Sequence, residues 1–122
     1  MEFTGKQLTA MLKMGLAMVE ADGKVTEEEK VALTLDMIKF GVTPEQLGIM
    51  LPAANAMSAE ESLIIAAGMN AQQKKYVTGY LAMIMASDGV DDTEVKLWSM
   101  LSHLCGFPTM TIAQALEFWK NN

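Results

Sequence analysis

The stretch AMVEADGKVTEEE, residues 17–29, contains an apolar helical run, an Asp-Gly turn and a Thr-x-x-Glu helix start in that order. The stretch MIMASDGVDDTE, residues 83–94, repeats the order, with Asp91-x-x-Glu94 as its helix start. Asp22 and Asp88 lie 66 positions apart, and Glu29 and Glu94 lie 65 apart, so the second turn is one residue shorter. Because glycine readily takes the left-handed conformation that ends a helix, each stretch predicts a helix, a turn and a second helix.

Helix starts of one type occur along the whole chain. A Ser, Thr, Asp or Asn followed three residues later by Glu or Gln can form a capping box, in which each residue satisfies the other's backbone amide. This spacing occurs at Thr4/Gln7, Thr26/Glu29, Thr43/Gln46, Ser58/Glu61, Asn70/Gln73, Asp91/Glu94 and Thr111/Gln114. Glycines that follow apolar periodic segments predict the helix ends at Gly23, Gly41, Gly89 and Gly106.

These signals predict an all-α, compact bundle of about seven helices with an internal duplication of a three-helix unit. The predicted helices are Gly5–Ala21, Glu27–Phe40, Pro44–Leu51, Ala59–Gly68, Ala71–Ser87, Asp92–Cys105 and Ile112–Trp119. We expect one domain over residues 1–122, with units over about 5–51 and 71–119 and a connector helix over about 59–68. The first and fifth helices have the broadest apolar stripes, so they should form the middle of the core, whereas the last should lie across the surface.

Composition and charge exclude several classes of function. The net charge of -6 makes nucleic acid and anionic membrane surfaces poor partners, and favours cations or a protein partner with a basic patch. The longest strongly apolar helical run, residues 76–87, is too short to span a membrane, which takes ~17–25 residues. Because the lone Cys105 cannot form an internal disulfide, a cytoplasmic location is expected.

The first Asp-Gly turn invites comparison with a calcium-binding EF-hand loop. Asp22 and Glu29 would occupy loop positions 5 and 12, which is the correct spacing. However, position 1 needs an oxygen ligand, and there the sequence has Met18, inside an apolar stripe. The second copy places Ile84 at position 1 and Val95 at position 12. The sequence therefore predicts that neither turn is a standard EF-hand.

Two interpretations of the acidic turns remain. In the first, the carboxylates only cap helices: Glu29 and Glu94 close capping boxes, and acidic residues are favoured in a first helical turn. In the second, the two turns present carboxylate oxygens to a hard divalent cation. The two interpretations are compatible, because one carboxylate group can cap a helix and also bind a metal.

The duplicated acidic pattern resembles that of the tellurite-resistance TerB-like family. The residues that carry the resemblance are Glu20-Ala21-Asp22-Gly23-x-Val25-x-x-x-Glu29, Ala86-Ser87-Asp88-Gly89-Val90-x-x-x-Glu94 and Leu104-Cys105-Gly106. The resemblance implies a compact helical bundle, a metal-binding acidic cluster, and association with stress and tellurite-resistance systems, with fusion to J-domain chaperones in some members. The acidic motif carries over to Asp22, Glu29, Asp88 and Glu94.

The sequence and the resemblance together predict a non-enzymatic accessory domain. It would bind calcium, magnesium or manganese, a protein partner, or both, through the acidic helix-turn motifs. The alternative is a helical protein-interaction scaffold or adaptor with no metal site, in which the carboxylates are only caps. No catalytic or cofactor-binding residues are predicted, because His103 and Cys105 have no second His or Cys to complete a zinc site.

The charge leads to a prediction about nucleic acid. Because binding to DNA or RNA depends on phosphate neutralisation by basic residues, we expect no salt-sensitive binding to either at physiological ionic strength. The measurement is an electrophoretic mobility shift with duplex DNA and single-stranded RNA at sub-micromolar protein. A retarded band that disappears when salt is added would contradict the prediction.

Overall fold

The computed structural model describes residues 3–20, 33, 35–87 and 92–122, with the backbone alone for residues 87 and 92–94. The helices are α1 (Gly5–Glu20), α2 (Pro44–Ala56), α3 (Ala59–Ala67), α4 (Ala71–Ser87), α5 (Asp92–Cys105) and α6 (Ile112–Asn121). Residues 33 and 35–38 are also helical, ahead of a turn at residues 39–41. Because these described ranges contain helices and no strand, the all-α class is confirmed.

The predicted capping chemistry forms at the described helix starts. In four boxes both hydrogen bonds are present, at Thr4/Gln7, Thr43/Gln46, Asn70/Gln73 and Thr111/Gln114. At the start of α3 the Ser58 hydroxyl accepts from the Glu61 amide at 3.0 Å. The boxes predicted at Thr26 and Asp91 lie outside the described residues. Local sequence therefore fixes where these helices begin.

The end of α2 differs from the prediction. The helix continues to Ala56 through Pro52, although proline cannot donate the usual helical hydrogen bond. The residues beyond the proline are mostly alanines, the best helix formers, and Ala54 is fully buried. Burial and propensity together thus extend the helix five residues past the predicted end at Leu51.

The centre of the core is formed by α1 and α4, as predicted. α1 packs against α2, α3 and α4, whereas α4 also packs against α6, and α3 packs against α5. The largest side chains that these two helices bury completely are Met11, Leu12, Met14, Met18, Val77, Tyr80, Leu81 and Met85. The broad apolar stripes of the sequence therefore identify the central pair correctly.

The position of α6 is deeper than predicted. Its side chains Ala115 and Trp119 are buried, and the helix packs along α4. Gly79 makes this possible, because a Cβ at that position would lie 3.2 Å from the Trp119 Cβ and 3.3 Å from the Ala115 carbonyl oxygen. A narrow apolar stripe does not reveal such a close helix crossing.

Two contacts show that α1 and α4 run in the same direction. Near their N-termini, Gln73 Nε2 donates a hydrogen bond to Gln7 Oε1 at 3.2 Å. Further along both helices, Gly15 lies against Tyr80 and Ile84. The C-terminal ends of α1 and α4 therefore lie at the same end of the bundle. The predicted three-helix duplication agrees with this arrangement and stays a prediction.

The same contact gives a test of the core. A Cβ on Gly15 would lie 2.8 Å from Leu33 Cδ2 and 2.9 Å from both Ile84 Cδ1 and the Tyr80 hydroxyl. Overpacking a core costs about 1–3 kcal/mol, more than the roughly 1 kcal/mol that alanine gains over glycine in a helix. We therefore expect Gly15→Ala to lower the free energy of unfolding, measured by urea denaturation, by about 1 kcal/mol.

A matched control exists in α2. Gly48 is also helical, but a Cβ there would meet nothing within 4 Å. Gly48→Ala should therefore raise the free energy of unfolding by about 0.5–1 kcal/mol through helix propensity alone. If both variants gain stability equally, Gly15 is not the close contact between α1 and α4.

Candidate functional site

The predicted metal-ligand set lies mostly outside the described residues. Asp22, Glu29 and Asp88 are not described, and Glu94 lies in the first turn of α5 with only its backbone described. The structure therefore neither brings these four residues together nor separates them. Within the described side chains, no group of three or more His, Cys, Asp or Glu residues is placed to hold a metal.

The residues that precede the acidic turns explain why an EF-hand loop does not fit. Met18 is fully buried, and Ile84 is only 2% exposed, so both side chains belong to the core. These are the positions at which an EF-hand needs its first oxygen ligand. The last turns of α1 and α4 are thus anchored by apolar packing, while Glu20 and Ala86 on the same turns are exposed.

A polar centre that the sequence analysis missed lies inside the bundle at Tyr80. Its hydroxyl is fully buried and has no hydrogen-bond partner among the described residues. Burial raises the pKa of the Tyr80 phenol well above its ordinary value, and the charge of Asp36 raises it further. The phenol is therefore held neutral, as a donor inside the core.

Asp36 is the carboxylate whose negative charge acts on this phenol. Burial raises its pKa from 3.8 to about 6, while the charge of Lys39 opposes that shift. Asp36 and Lys39 lie three residues apart, which places them on one helical face. That spacing within the apolar run 33–40 was the available sequence signal, and it was overlooked because charged residues on helices are usually solvated.

Lys39 connects this segment to α6. Its Nζ donates a hydrogen bond to the Trp119 carbonyl oxygen and lies 4.3 Å from the centroid of the Trp119 ring. A cation near the last carbonyls of a helix is favoured by the helix dipole, and the aromatic face adds a cation–π attraction. Lys39 therefore stabilises the end of α6 and its position against the rest of the bundle.

An aromatic cluster includes Tyr80 and the Trp119 ring that Lys39 contacts. Its ring pairs have centroid distances between 5.2 and 6.4 Å, in edge-on or tilted geometry. The six members are Phe3, Phe40, Tyr76, Tyr80, Phe118 and Trp119. Trp119 is buried, at 4% exposure. This cluster is a packing unit that joins α4, α6 and the segment around Phe40.

The lone cysteine has the environment of a structural residue. Cys105 is buried, and its Sγ lies 3.7 Å from the Leu63 carbonyl oxygen. Burial raises the pKa of the thiol, although the charge of Lys74 opposes the shift, so the reactive thiolate is disfavoured. His103 is exposed two residues earlier on α5. The absence of a zinc site at this pair stays a prediction.

The described residues define an all-α protein built on a central pair of helices with the same direction. No protein-family model matches the chain, and no curated protein matches it. The crystal structure of a protein of unknown function from Porphyromonas gingivalis W83 matches it with a TM-score of 0.88 and 42% sequence identity. The match covers 99% of this chain and 92% of the other. The chain therefore belongs to the same family as that protein.

The raised pKa of Asp36 predicts a pH-dependent stability. The folded state binds the Asp36 proton more tightly than the unfolded state does. The stability that this tighter proton binding gives the folded protein is therefore fully present below about pH 4, and it is lost as the pH rises to about 6. Asp36→Asn removes the buried charge. After discounting for partial exposure, the variant should be about 1–2 kcal/mol more stable than the parent at about pH 7.5, and equal to it near pH 4.

The measurement is chemical denaturation of both proteins across this pH range. Glu117→Gln on the exposed face of α6 is the control, and as a surface substitution it should change the free energy of unfolding by less than about 0.5 kcal/mol. If Asp36→Asn raises the free energy of unfolding equally at both ends of the range, burial of the Asp36 charge does not destabilise the folded protein.

Proposed function

We propose that this chain is a non-enzymatic, TerB-like accessory domain in which the two acidic turns together bind a divalent cation. The observation that carries the proposal is the common direction of α1 and α4. Since both helices end at the same end of the bundle, the chain segments that follow Glu20 and Ser87 start from neighbouring positions. Those segments contain Asp22, Glu29 and Asp88.

Electrostatics favours a cation at that end. Each helix C-terminus carries about half a negative elementary charge from its unpaired carbonyl groups, and here two such termini lie at one end. The net charge of -6 and the exposed Glu20 add to the negative potential. A small divalent ion would reduce this repulsion, and carboxylate oxygens are the ligands that calcium, magnesium and manganese prefer.

The proposed ligands are Asp22, Glu29, Asp88 and Glu94. The second turn is one residue shorter than the first, so the two turns cannot form two identical sites. A single site shared between the two turns does not require the turns to have the same length. It also fits a duplicated three-helix unit, whose two copies would each contribute an aspartate and a glutamate. The link to stress or tellurite resistance rests on the family resemblance.

A protein partner is the second candidate function, and a separate observation favours it. Large apolar side chains are exposed on several helices, namely Leu35, Ile38, Ile49, Ile64, Val95, Met100 and Leu104. Leu35 and Ile38 share one helical face, as do Met100 and Leu104, so they form short apolar stripes rather than isolated exposures. In a scaffold without metal, these stripes would bind the partner and the carboxylates would only cap helices.

One double variant separates metal binding from capping. A capping box accepts Gln in place of Glu, because either side chain can accept the amide hydrogen bond, whereas a hard cation needs the charged carboxylate. We therefore expect Glu29→Gln with Glu94→Gln to leave the melting temperature in chelator nearly unchanged. The same variant should lose most of the stabilisation that millimolar calcium, magnesium or manganese gives the parent.

The matched control is Glu45→Gln with Glu60→Gln. These glutamates are exposed and also lie in first turns, of α2 and α3, so the control loses the same charge in first helical turns, one position ahead of the capping-box residue. It should keep the metal-dependent rise in melting temperature. A parent protein with no such rise would leave the carboxylates as caps and favour the scaffold. Equal rises in both double variants would show that Glu29 and Glu94 are not the ligands.

A further inference from the structure

A cavity of about 440 Å³ opens beside the C-terminal half of α5. Trp98 and Phe107 are 8% and 7% exposed, so their rings form a largely buried apolar wall. The remainder is lined by Gly106, Met110 and four polar side chains, those of Ser99, Ser102, His103 and Thr109. The volume lies within the roughly 300–1,000 Å³ typical of small-molecule sites, and an apolar wall with a few polar groups is their usual composition.

The hydroxyl groups of this cavity are available to a ligand. Elsewhere in the bundle, Thr9, Ser62 and Thr78 donate their hydroxyl hydrogens to carbonyls of their own helices at 2.7–2.8 Å. Among the described residues, the side chains of Ser99 and Ser102 on α5 make no such bond. Their donors and acceptors are therefore not used by the fold.

The described residues that line the cavity include no Lys, Arg, Asp or Glu, and a lysine lies close to one of them. The described lining thus lacks the acidic groups that give the chain its net charge of -6. The Lys74 ammonium lies 3.3 Å from the place where a Cβ on Gly106 would stand, and Gly106 lines the cavity. Within the part of the chain that the structure describes, Lys74 forms no ion pair.

The helix dipole of α5 acts against an anion here but is the weaker effect. Its C-terminus carries about half a negative charge, and part of that is neutralised because the Phe107 amide donates to the Ser102 carbonyl oxygen at 3.0 Å. The Lys74 ammonium carries a full positive charge at the same place. The balance therefore favours an anionic group close to Gly106.

We propose that this cavity binds a small aromatic carboxylate. The aromatic ring packs against Trp98 and Phe107, and the carboxylate accepts hydrogen bonds from the serine hydroxyls while facing Lys74. This site is separate from the acidic turns and does not depend on metal binding there. A neutral ring of the same shape would keep the apolar contact and lose the charge-assisted one.

The test uses the two tryptophan indole signals in proton–nitrogen correlation spectra, assigned with Trp98→Phe. Benzoate is the probe, and neutral benzamide has the same ring. We expect benzoate to shift the Trp98 indole signal saturably while the Trp119 signal stays in place. Benzamide should bind about tenfold more weakly, as loss of one charge-assisted contact predicts.

Two variants locate the anion and the ring. Lys74→Gln should weaken benzoate towards the benzamide value, whereas Lys75→Gln, one residue along α4, should not. Ser99→Leu, which fills the cavity, should abolish the Trp98 shift with either probe. Ala113→Leu, at an exposed position of α6, is its control. The spectra themselves report whether each variant is folded. Absence of a saturable Trp98 shift, equal affinity for both probes, or equal effects of the two lysine variants would overturn the proposal.

Discussion

The contact between α1 and α4 at Gly15 is the constraint on which the rest of the bundle depends. The absence of a side chain there lets Leu33, Tyr80 and Ile84 converge on one turn of α1, closer than any Cβ would permit. The contact fixes the spacing of two helices that run in the same direction, and it brings the helical segment around Leu33 onto both. The positions of the helix ends, and so of any site built on them, follow from it.

This arrangement leaves a phenol in the middle of an apolar core. A buried hydroxyl without a partner costs about 1–3 kcal/mol, and Tyr80 has none among the described residues. The surrounding aromatic contacts offset part of that cost, since each favourable ring pair contributes about 0.5–1.5 kcal/mol. Tyr80 pairs with Phe40 and Trp119, and Lys39 ties Trp119 to the same segment. The polar centre is thus tolerated because aromatic packing encloses it.

The sequence predicted what depends on neighbours along the chain. Capping boxes such as Thr43/Gln46 and Thr111/Gln114, and the left-handed glycines Gly41 and Gly106, involve residues a few positions apart, so their signals are readable. Interactions between distant segments were missed. In the sequence, Gly79 is an ordinary helical glycine, and only the structure shows that α6 packs against it. Ser99 on α5 and Phe107 in the following loop line one cavity, which depends on how the loop folds back. For the acidic turns, the structure supplies the direction of the helices that lead into them and leaves their ligands a prediction.

The two proposed sites share one electrostatic origin. Because α1 and α4 run in the same direction, their dipoles add, with positive ends at one end of the pair and negative ends at the other. The sequence strengthens this polarity: Lys6, Lys74 and Lys75 lie within the first five residues of the two helices, whereas the acidic motifs follow their last turns. An overall net charge therefore describes this protein poorly, because the helix dipoles give the two ends of the pair potentials of opposite sign. A cation site after the C-termini and an anion site beside Lys74 are what such a polarised pair favours.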